Sequence, residues 1–273
     1  MKKLFYFLVT IMSISLNAQE NFTVKPAKPV AGSSIEIQFL SRNTALQGKE
    51  SVEAIAYLLE GKLPLAKSVT LKKEGGVYTG SVKTNDSTKA VFFSFFNDEV
   101  KENNKDEGFY TLLYDKNGKV VPGAHHGVSQ VYNSYGGILD MGRNVEKAAE
   151  HNKLEFANEA SRKKFVNEYF NFLAQSKEEK DLELLKQELA KQEAKKDITE
   201  SDLGTVRRIY ANTIKDKEKA DAIQNLIKEK FPYGKWKRDE ALTALGKEKD
   251  LKQKEKLFEE LNSTYPSFKK DEP

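Results

Sequence analysis

The hydrophobic period of this chain changes once, near Val128. Before that point, short segments alternate apolar and polar residues or are rich in aromatic and β-branched side chains, as strands are. After it, apolar residues recur at helical spacing. The sequence therefore predicts an α+β protein in which a β domain and a helical domain follow one another.

The strand-like part runs from about Phe22 to Pro122. Strands are predicted at residues 34–39, 52–59, 65–71, 77–82, 90–96 and 109–114, with a short return strand at 119–121. The return follows Asn117-Gly118, a strong signal for a hairpin turn. Seven or eight short strands predict an immunoglobulin-like antiparallel β-sandwich over residues 20–127, although the Cys–Trp–Cys hallmark is missing.

The helical part is predicted to cover residues 128–273. Helices are indicated at residues 146–156, 163–173, 182–190, 220–231 and 254–265. The last two end at Phe231-Pro232 and Tyr265-Pro266, and the separation of these ends matches the tetratricopeptide (TPR) period of about 34 residues. Since the consensus Trp, Gly and Tyr positions are not matched, we expect a TPR-like array of about eight helices in four hairpins. A charged coiled coil is the alternative, and the breaks at Gly204 and Gly246 argue against it.

Residues 1–19 are typical of a secretory signal peptide. Lys2 and Lys3 precede an apolar run that extends to Leu16, and cleavage is expected between Asn17 and Glu20. No later segment is apolar enough to span a membrane. The sequence thus predicts an exported bacterial protein, periplasmic or secreted.

Cysteine is absent from the chain, which removes several classes of function. Disulfides, thiol nucleophiles, Cys-x-x-Cys redox pairs and thiolate metal sites are all excluded within these residues. The charge is balanced, with 45 Lys and Arg against 41 Asp and Glu. A net charge of +4 on this chain length does not indicate a basic surface for nucleic acid, so no nucleic-acid partner is predicted.

The histidines are the first candidates for a metal site. His125 and His126 are neighbours, and on an extended segment their side chains would point to opposite faces. His151 lies on a predicted helix without an obvious ligand partner, and a closed zinc site needs about four ligands. Residues 122–127 are therefore predicted to be a solvated linker between the domains, and no metal is expected.

A polar stretch contains Asn103, Asn104, Asp106 and Glu107, which resembles a calcium loop in composition. It is too short for an EF-hand and lacks its alternating ligands, so these side chains are expected to bond the local backbone. No Gly-x-Ser-x-Gly or phosphate-binding glycine loop occurs in the chain. No catalytic residue and no cofactor are predicted.

The remaining functional surface is the groove that stacked helical hairpins form. Such grooves bind peptides or protein segments. Tyr210, Asn212, Tyr233 and Trp236 are the predicted partner-binding residues there. The alternative is that these aromatic side chains pack between the hairpins.

Several segments together resemble the N-terminal region of large exported bacterial thioredoxin-family proteins of the TlpA type. They are 60–66 (EGKLPLA), 75–79 (GGVYT), 88–93 (TKAVFF), 103–114 (NNKDEGFYTLLY), 115–124 (DKNGKVVPGA), 138–156 (ILDMGRNVEKAAEHNKLEF) and 162–173 (RKKFVNEYFNFL). The resemblance implies a β-sandwich, a helical segment and then a thioredoxin domain that acts as a thiol–disulfide oxidoreductase. Its motifs are turns and core positions, and no matching position carries a catalytic residue.

The expected function is therefore a non-catalytic binding module, which would present a protein to a thioredoxin-like domain. One alternative is that these residues are a fragment of a longer thiol–disulfide oxidoreductase, with its Cys-x-x-Cys domain beyond residue 273. A second alternative is a surface carbohydrate-binding protein, which would carry exposed aromatic side chains on one sheet face.

Overall fold

The computed structural model describes residues 21–61, 63–98, 100–176 and 178–265. The predicted signal peptide and its cleavage site lie outside the described residues. The chain divides into two compact units, with the boundary between Phe165 and Val166. Within the described ranges, no helix is both long and apolar enough to cross a membrane.

The described part of the first unit holds two antiparallel sheets. Their strands are β1 (Phe22–Lys25), β2 (Ser34–Leu40), β3 (Glu53–Leu59), β4 (Leu65–Val69), β5 (Lys72–Glu74), β6 (Val77–Lys83), β7 (Ala90–Phe96), β8 (Lys101–Glu102) and β9 (Phe109–Leu112). One sheet has the order β1-β2-β6-β5. The other has the order β4-β3-β7-β8, and β9 also pairs with β7.

The two sheets share one aromatic core. Alternation along β2 buries Ile35, Ile37 and Phe39, each at most 2% exposed, and leaves the residues between them on the outer face. Strand β7 contributes Phe93 and Phe95 from the other sheet. The rings of Phe39 and Phe95 stack with their centroids 4.1 Å apart. Burial of each such side chain contributes about 1.5–3 kcal/mol, so this core is the main stabilising contact between the sheets.

Strand β7 is covered on both faces. Phe93 and Phe95 point into the core between the sheets, whereas Ala90 and Phe92 belong to a second core on the opposite face. The other residues of that second core are Leu59, Val128, Val131, Tyr132, Leu139, Met141 and Ala148. A strand with two buried faces needs apolar residues at almost every position, which explains the run AVFFSFF.

The described residues contain nine α-helices. They are α1 (Ala124–Gln130), α2 (Val145–Phe156), α3 (Glu159–Lys164), α4 (Val166–Gln175), α5 (Glu179–Glu193), α6 (Glu200–Ile209), α7 (Lys217–Lys230), α8 (Lys235–Lys247) and α9 (Leu251–Thr264). Two π-helical turns, Val131–Tyr135 and Tyr210–Ile214, continue α1 and α6. With sheets in the N-terminal half and helices in the C-terminal half, the predicted α+β layout is confirmed.

The prediction of a solvated linker at residues 122–127 is wrong. Gly123 adopts the left-handed conformation (φ 97°), and α1 begins at the next residue. A side chain at Gly123 would also collide with the ring of Phe165, 2.8 Å from its Cζ. Ala124 and Val128 are fully buried, so the chain enters this helix because its apolar face covers the sheet.

Two other local predictions are also wrong. Residues 119–121 do run back antiparallel to residues 113–115, but the pairing is a single bridge between Tyr114 and Val120 and is too short to be a strand. The carboxylate of Asp115 accepts backbone N–H groups from the turn that follows it and helps to close that turn. The predicted helix at 163–173 is two helices, because Phe165 leaves the helical conformation (φ −120°, ψ 54°) between them.

Helices α7 and α9 have matched ends. Asp216 and Asp250 are their N-caps, and each carboxylate accepts a backbone N–H of the first turn. Phe231 and Tyr265 end the two helices at φ −127°, ψ 64° and φ −128°, ψ 69°. The two caps are separated by the same number of positions as the two ends. The period read from the sequence thus corresponds to a repeated helix in the structure.

Candidate functional site

All three histidines of the chain lie where α1 packs on α2, and two of them, His125 and His151, contact each other. His125 Nδ1 lies 3.0 Å from His151 Nδ1, so one of these two nitrogens carries the proton that joins them. On its other side, His151 Nε2 lies 3.3 Å from the hydroxyl of Tyr110 on β9. The sequence did not anticipate this pairing, because the two histidines are 26 residues apart and belong to different helices.

His126 points to a different neighbourhood from His125. Its Nδ1 lies 3.2 Å from Oδ1 of Asn152, and its ring stacks on Phe165 with the centroids 5.8 Å apart. Successive residues of a helix differ by about 100° in direction, which separates the two rings without placing them on opposite faces. His126 therefore fixes the packing of α1 and takes no part in the His125–His151 pair.

A buried carboxylate holds the beginning of α1. Glu155 on α2 is 3% exposed, and its Oε1 accepts the N–H of Gly123 at 2.7 Å. Its Oε2 accepts the N–H of His126 at 3.0 Å. Sequence reasoning missed this residue, and its only signal was a Glu next to Phe156 at the end of a predicted helix. Hydrogen bonds from backbone N–H groups to a carboxylate are about twice as strong as neutral ones, so Glu155 anchors α1 to α2.

The environment of the histidine pair disfavours positive charge. Burial, together with the charges of His125 and Lys147, lowers the pKa of His151 to about 4. Burial also lowers the pKa of His125, although the carboxylate of Glu155 acts in the opposite direction. Both imidazoles are therefore neutral at neutral pH, and acidification would place unfavourable charge between α1, α2 and β9.

The geometry of the pair is that of a hydrogen bond rather than of a metal centre. In the described part of the chain, no group of three His, Asp or Glu side chains is placed to hold a metal ion. The two nitrogens that face each other share a proton, and the remaining nitrogen of His151 faces Tyr110. Chemically, this cluster can respond to pH.

The polar loop 103–108 is held by its own side chains. Asn103 donates its amide to the carbonyl of Asp140 at 2.7 Å and to Asp106 Oδ1 at 3.0 Å. The amide of Asn104 donates to the carbonyl of Gly108 at 3.1 Å. The prediction that these side chains bond the local backbone is confirmed for Asn104 and for Asn103, whose Oδ1 accepts the N–H of Asp106 at 3.2 Å. Glu107 forms an ion pair with Lys147 instead.

Of the predicted groove residues, Tyr210 lies inside the helical unit. It is 7% exposed and belongs to the π-helical turn after α6. Burial, and then the negative charge of Glu193, raises the pKa of Tyr210 to about 12. Lys219 lies over the Tyr210 ring, 5.8 Å from its centroid, and forms an ion pair with Glu193 at 2.8 Å. Tyr210 thus belongs to the packing of α5, α6 and α7.

The other three groove residues differ in exposure. Asn212 is exposed on the same π-helical turn, and Tyr233 is 74% exposed before α8. Trp236 is half-buried, and its indole N–H donates to the carbonyl of Phe231 at 2.6 Å. Asn212 and Tyr233 are therefore open for contact, whereas Trp236 is fixed by the turn that it closes.

Glu200 is a second residue that sequence reasoning missed. It opens α6, yet its carboxylate accepts the N–H of Lys235 at 2.7 Å and the N–H of Trp236 at 2.6 Å. A Cβ on Gly234 would lie 2.3 Å from this carboxylate, so glycine permits the approach. Glu200 therefore supplies the N-terminal cap of α8 from a neighbouring helix and positions Trp236.

A shallow polar groove of about 470 Å³ lies on the β1-β2-β6-β5 sheet. The residues that line it are Thr23, Lys25, Glu36, Ile37, Gln38, Thr70, Lys72, Thr79, Gly80 and Ser81. None of them is aromatic, so the groove lacks the stacking surface that the carbohydrate-binding alternative predicted.

Comparison with known proteins adds no family to this picture. No protein-family model and no curated protein matches the chain.

Proposed function

We propose that this chain is an exported, non-catalytic protein-binding module. It consists of an immunoglobulin-like β-sandwich followed by a TPR-like helical array, related to the accessory region of TlpA-type thioredoxin-family proteins. Its partner is a protein or peptide segment in the groove of the helices. A thioredoxin-like domain is the partner that the sequence resemblance suggests.

The observation that carries this proposal is the repeated helix in the second unit. Helices α7 and α9 share their cap residues and their terminal backbone geometry at one constant spacing along the chain. Units that repeat in this way stack against their neighbours and leave an extended surface for recognition. Arrays of this kind bind segments of other proteins through that surface, which favours binding over catalysis.

Asn212 and Tyr233 are the contact residues in this proposal. Both are exposed, and Asn212 lies on a π-helical turn, a feature that occurs often at functional sites. An exposed tyrosine offers a large contact area at a low entropic cost. Lys237 lies over the Tyr233 ring at 5.1 Å and orients it. Tyr210 lies on the same π-helical turn as Asn212, and Trp236 lies three positions after Tyr233.

The test is capture of partners by the chain that begins at residue 20. The biotinylated protein is exposed to a cell-envelope extract of its source cells, and enriched proteins are identified by mass spectrometry. The most enriched protein is then produced separately, and its dissociation constant is measured by calorimetry. We expect N212A/Y233A to weaken this binding at least about tenfold, because exposed aromatic anchors dominate such contacts.

The matched control is K72A/T79A, which changes two residues of the polar sheet groove in the first unit. It should leave the dissociation constant unchanged. Enrichment of no protein, or equal binding by N212A/Y233A, would contradict the proposed groove. Reduction of insulin disulfides by the purified chain would contradict the non-catalytic assignment.

A further inference from the structure

The contact between His125 and His151 can survive one added proton but not two. Their Nδ1 atoms lie 3.0 Å apart, and both residues are half-buried where α1 packs on α2. In the neutral pair one Nδ1 carries a hydrogen and the other accepts it. When both rings are protonated, each Nδ1 carries a hydrogen, and two donors face each other without an acceptor between them. The number of hydrogens therefore makes this contact between the helices sensitive to acid.

The first added proton leaves the contact in place. It goes to His125, because the negative charge of the Glu155 carboxylate favours an imidazolium at that ring. At His151 the positive charge of Lys147 acts against protonation. The protonated ring of His125 then donates from Nδ1 to the bare Nδ1 of His151. Since a hydrogen bond from a charged donor is stronger than one between neutral groups, α1 stays joined to α2.

The second proton breaks the contact on the side of α1. A protonated His151 can donate from Nε2 to the hydroxyl of Tyr110, 3.3 Å away on β9, because a hydroxyl oxygen accepts as well as donates. Its Nδ1 has no such option, since the opposing Nδ1 of His125 also carries a hydrogen. His151 therefore keeps its contact with the sheet, and His125 is the partner that must leave.

The charged groups around the pair do not relieve this conflict. The carboxylate of Glu107 forms an ion pair with Lys147. Both oxygens of Glu155 accept backbone N–H groups at the beginning of α1, so this carboxylate is not free to approach His151. The titratable and charged groups that face the pair are Tyr110, Tyr132, Lys147 and Glu155, with Asp106, Glu107 and Glu150 around Lys147.

We propose that His125 and His151 form an acid-operated latch, which joins α1 to α2 while at most one of the two rings is protonated and releases α1 when both are. The release is local: α1 (Ala124–Gln130) opens while the strands of the two sheets remain paired. It uncovers the side of α1 that packs on the second core, including Val128, without unfolding the first unit. The latch does not depend on the partner groove of the second unit.

Amide hydrogen exchange, followed by NMR on the chain from residue 20, tests the latch because it reports the opening of α1 and of β7 separately. The pKa of His151 is about 4 in the folded protein and ordinarily 6.5, so the equilibrium constant for opening of α1 should rise about 100-fold between pH 7 and pH 4. At pH 4 the exchange of α1 amides should be independent of urea up to about 1 M, as local opening is. Exchange of the β7 amides should accelerate with urea, as exchange through global unfolding does.

Two variants remove the second proton from the contact. H151Q leaves one titrating ring and should keep at pH 4 the α1 protection that it has at pH 7. H125Q removes the other ring and should have the same effect, which covers the case that H151Q does not fold. H126Q is the matched control, since His126 also lies on α1 but contacts Asn152, and it should keep the wild-type response.

Three results would overturn the proposal. In the first, α1 stays protected at pH 4 although the NMR signals show that both rings are protonated. In the second, α1 and β7 exchange with the same urea dependence, so that α1 opens only when the whole unit unfolds. In the third, H151Q and H125Q lose α1 protection as the wild type does, which would place the response on another group such as Glu155.

Discussion

Acidification should destabilise the first unit through His151. Its pKa in the folded protein is about 4, whereas its ordinary value is 6.5, so the unfolded chain binds a proton first as the pH falls. The contribution of His151 to the free energy of unfolding is therefore fully present above pH 6.5, and it is lost as the pH falls from 6.5 to 4. A difference of 2.5 pH units at about 1.36 kcal/mol each gives a loss of about 3 kcal/mol from this side chain.

The three histidines themselves provide the assay, because all of them lie in the first unit. Urea titrations at several pH values, followed by the ring-proton NMR signals of the histidines, report unfolding of this unit alone. H151Q removes the titrating group but leaves His125 and His126 as reporters. The wild type should lose about 3 kcal/mol more than H151Q between pH 7 and pH 4.

H126Q is the matched control, since His126 lies on the same pair of helices but contacts Asn152 rather than the histidine pair. It should keep the pH dependence of the wild type. Equal pH dependence in the wild type and H151Q, or titration of His151 near pH 6.5, would refute the argument that burial keeps this ring neutral.

Four further substitutions test the helices and their anchors. E200A should lower the free energy of unfolding of the second unit by about 2 kcal/mol, because two backbone N–H groups of α8 lose a charged acceptor. Urea unfolding followed by the fluorescence of the single tryptophan measures this loss. G204A should stabilise that unit by about 0.5–1 kcal/mol, since nothing lies within 4 Å of its new Cβ, whereas G234A should destabilise it through collision with Glu200. A stabilising G234A would show that the cap is dispensable. E155A should cost about 2–3 kcal/mol in the histidine-monitored titration, and no loss there would mean that water replaces the buried carboxylate.

The elements that the sequence predicted best are those with a local pattern. Strand β2 alternates strictly and was placed at 34–39 against an observed Ser34–Leu40. Helix α2 was placed at 146–156 against an observed Val145–Phe156. In both elements, the order of apolar and polar residues along the chain follows the periodicity of burial. These elements can therefore be predicted without knowledge of tertiary contacts.

The histidine cluster could not be predicted in the same way. Its geometry depends on α1, which begins only because Gly123 turns the chain and Ala124 and Val128 cover the sheet. Nothing near His125 in the sequence shows that His151 will face it across two helices. Glu155 and Glu200 were missed for the same reason, since each caps a helix that belongs to a distant part of the chain.

The double burial of β7 determines where the chain could be cut. A recombinant piece that ends at residue 127 would keep the core between the sheets but would uncover Ala90 and Phe92 on the opposite face. Such a piece would expose an apolar face of the sheet to solvent, and we expect it to aggregate. Helices α1 and α2 therefore cover the outer face of this sheet. The shortest soluble piece of the N-terminal half would extend to Phe165.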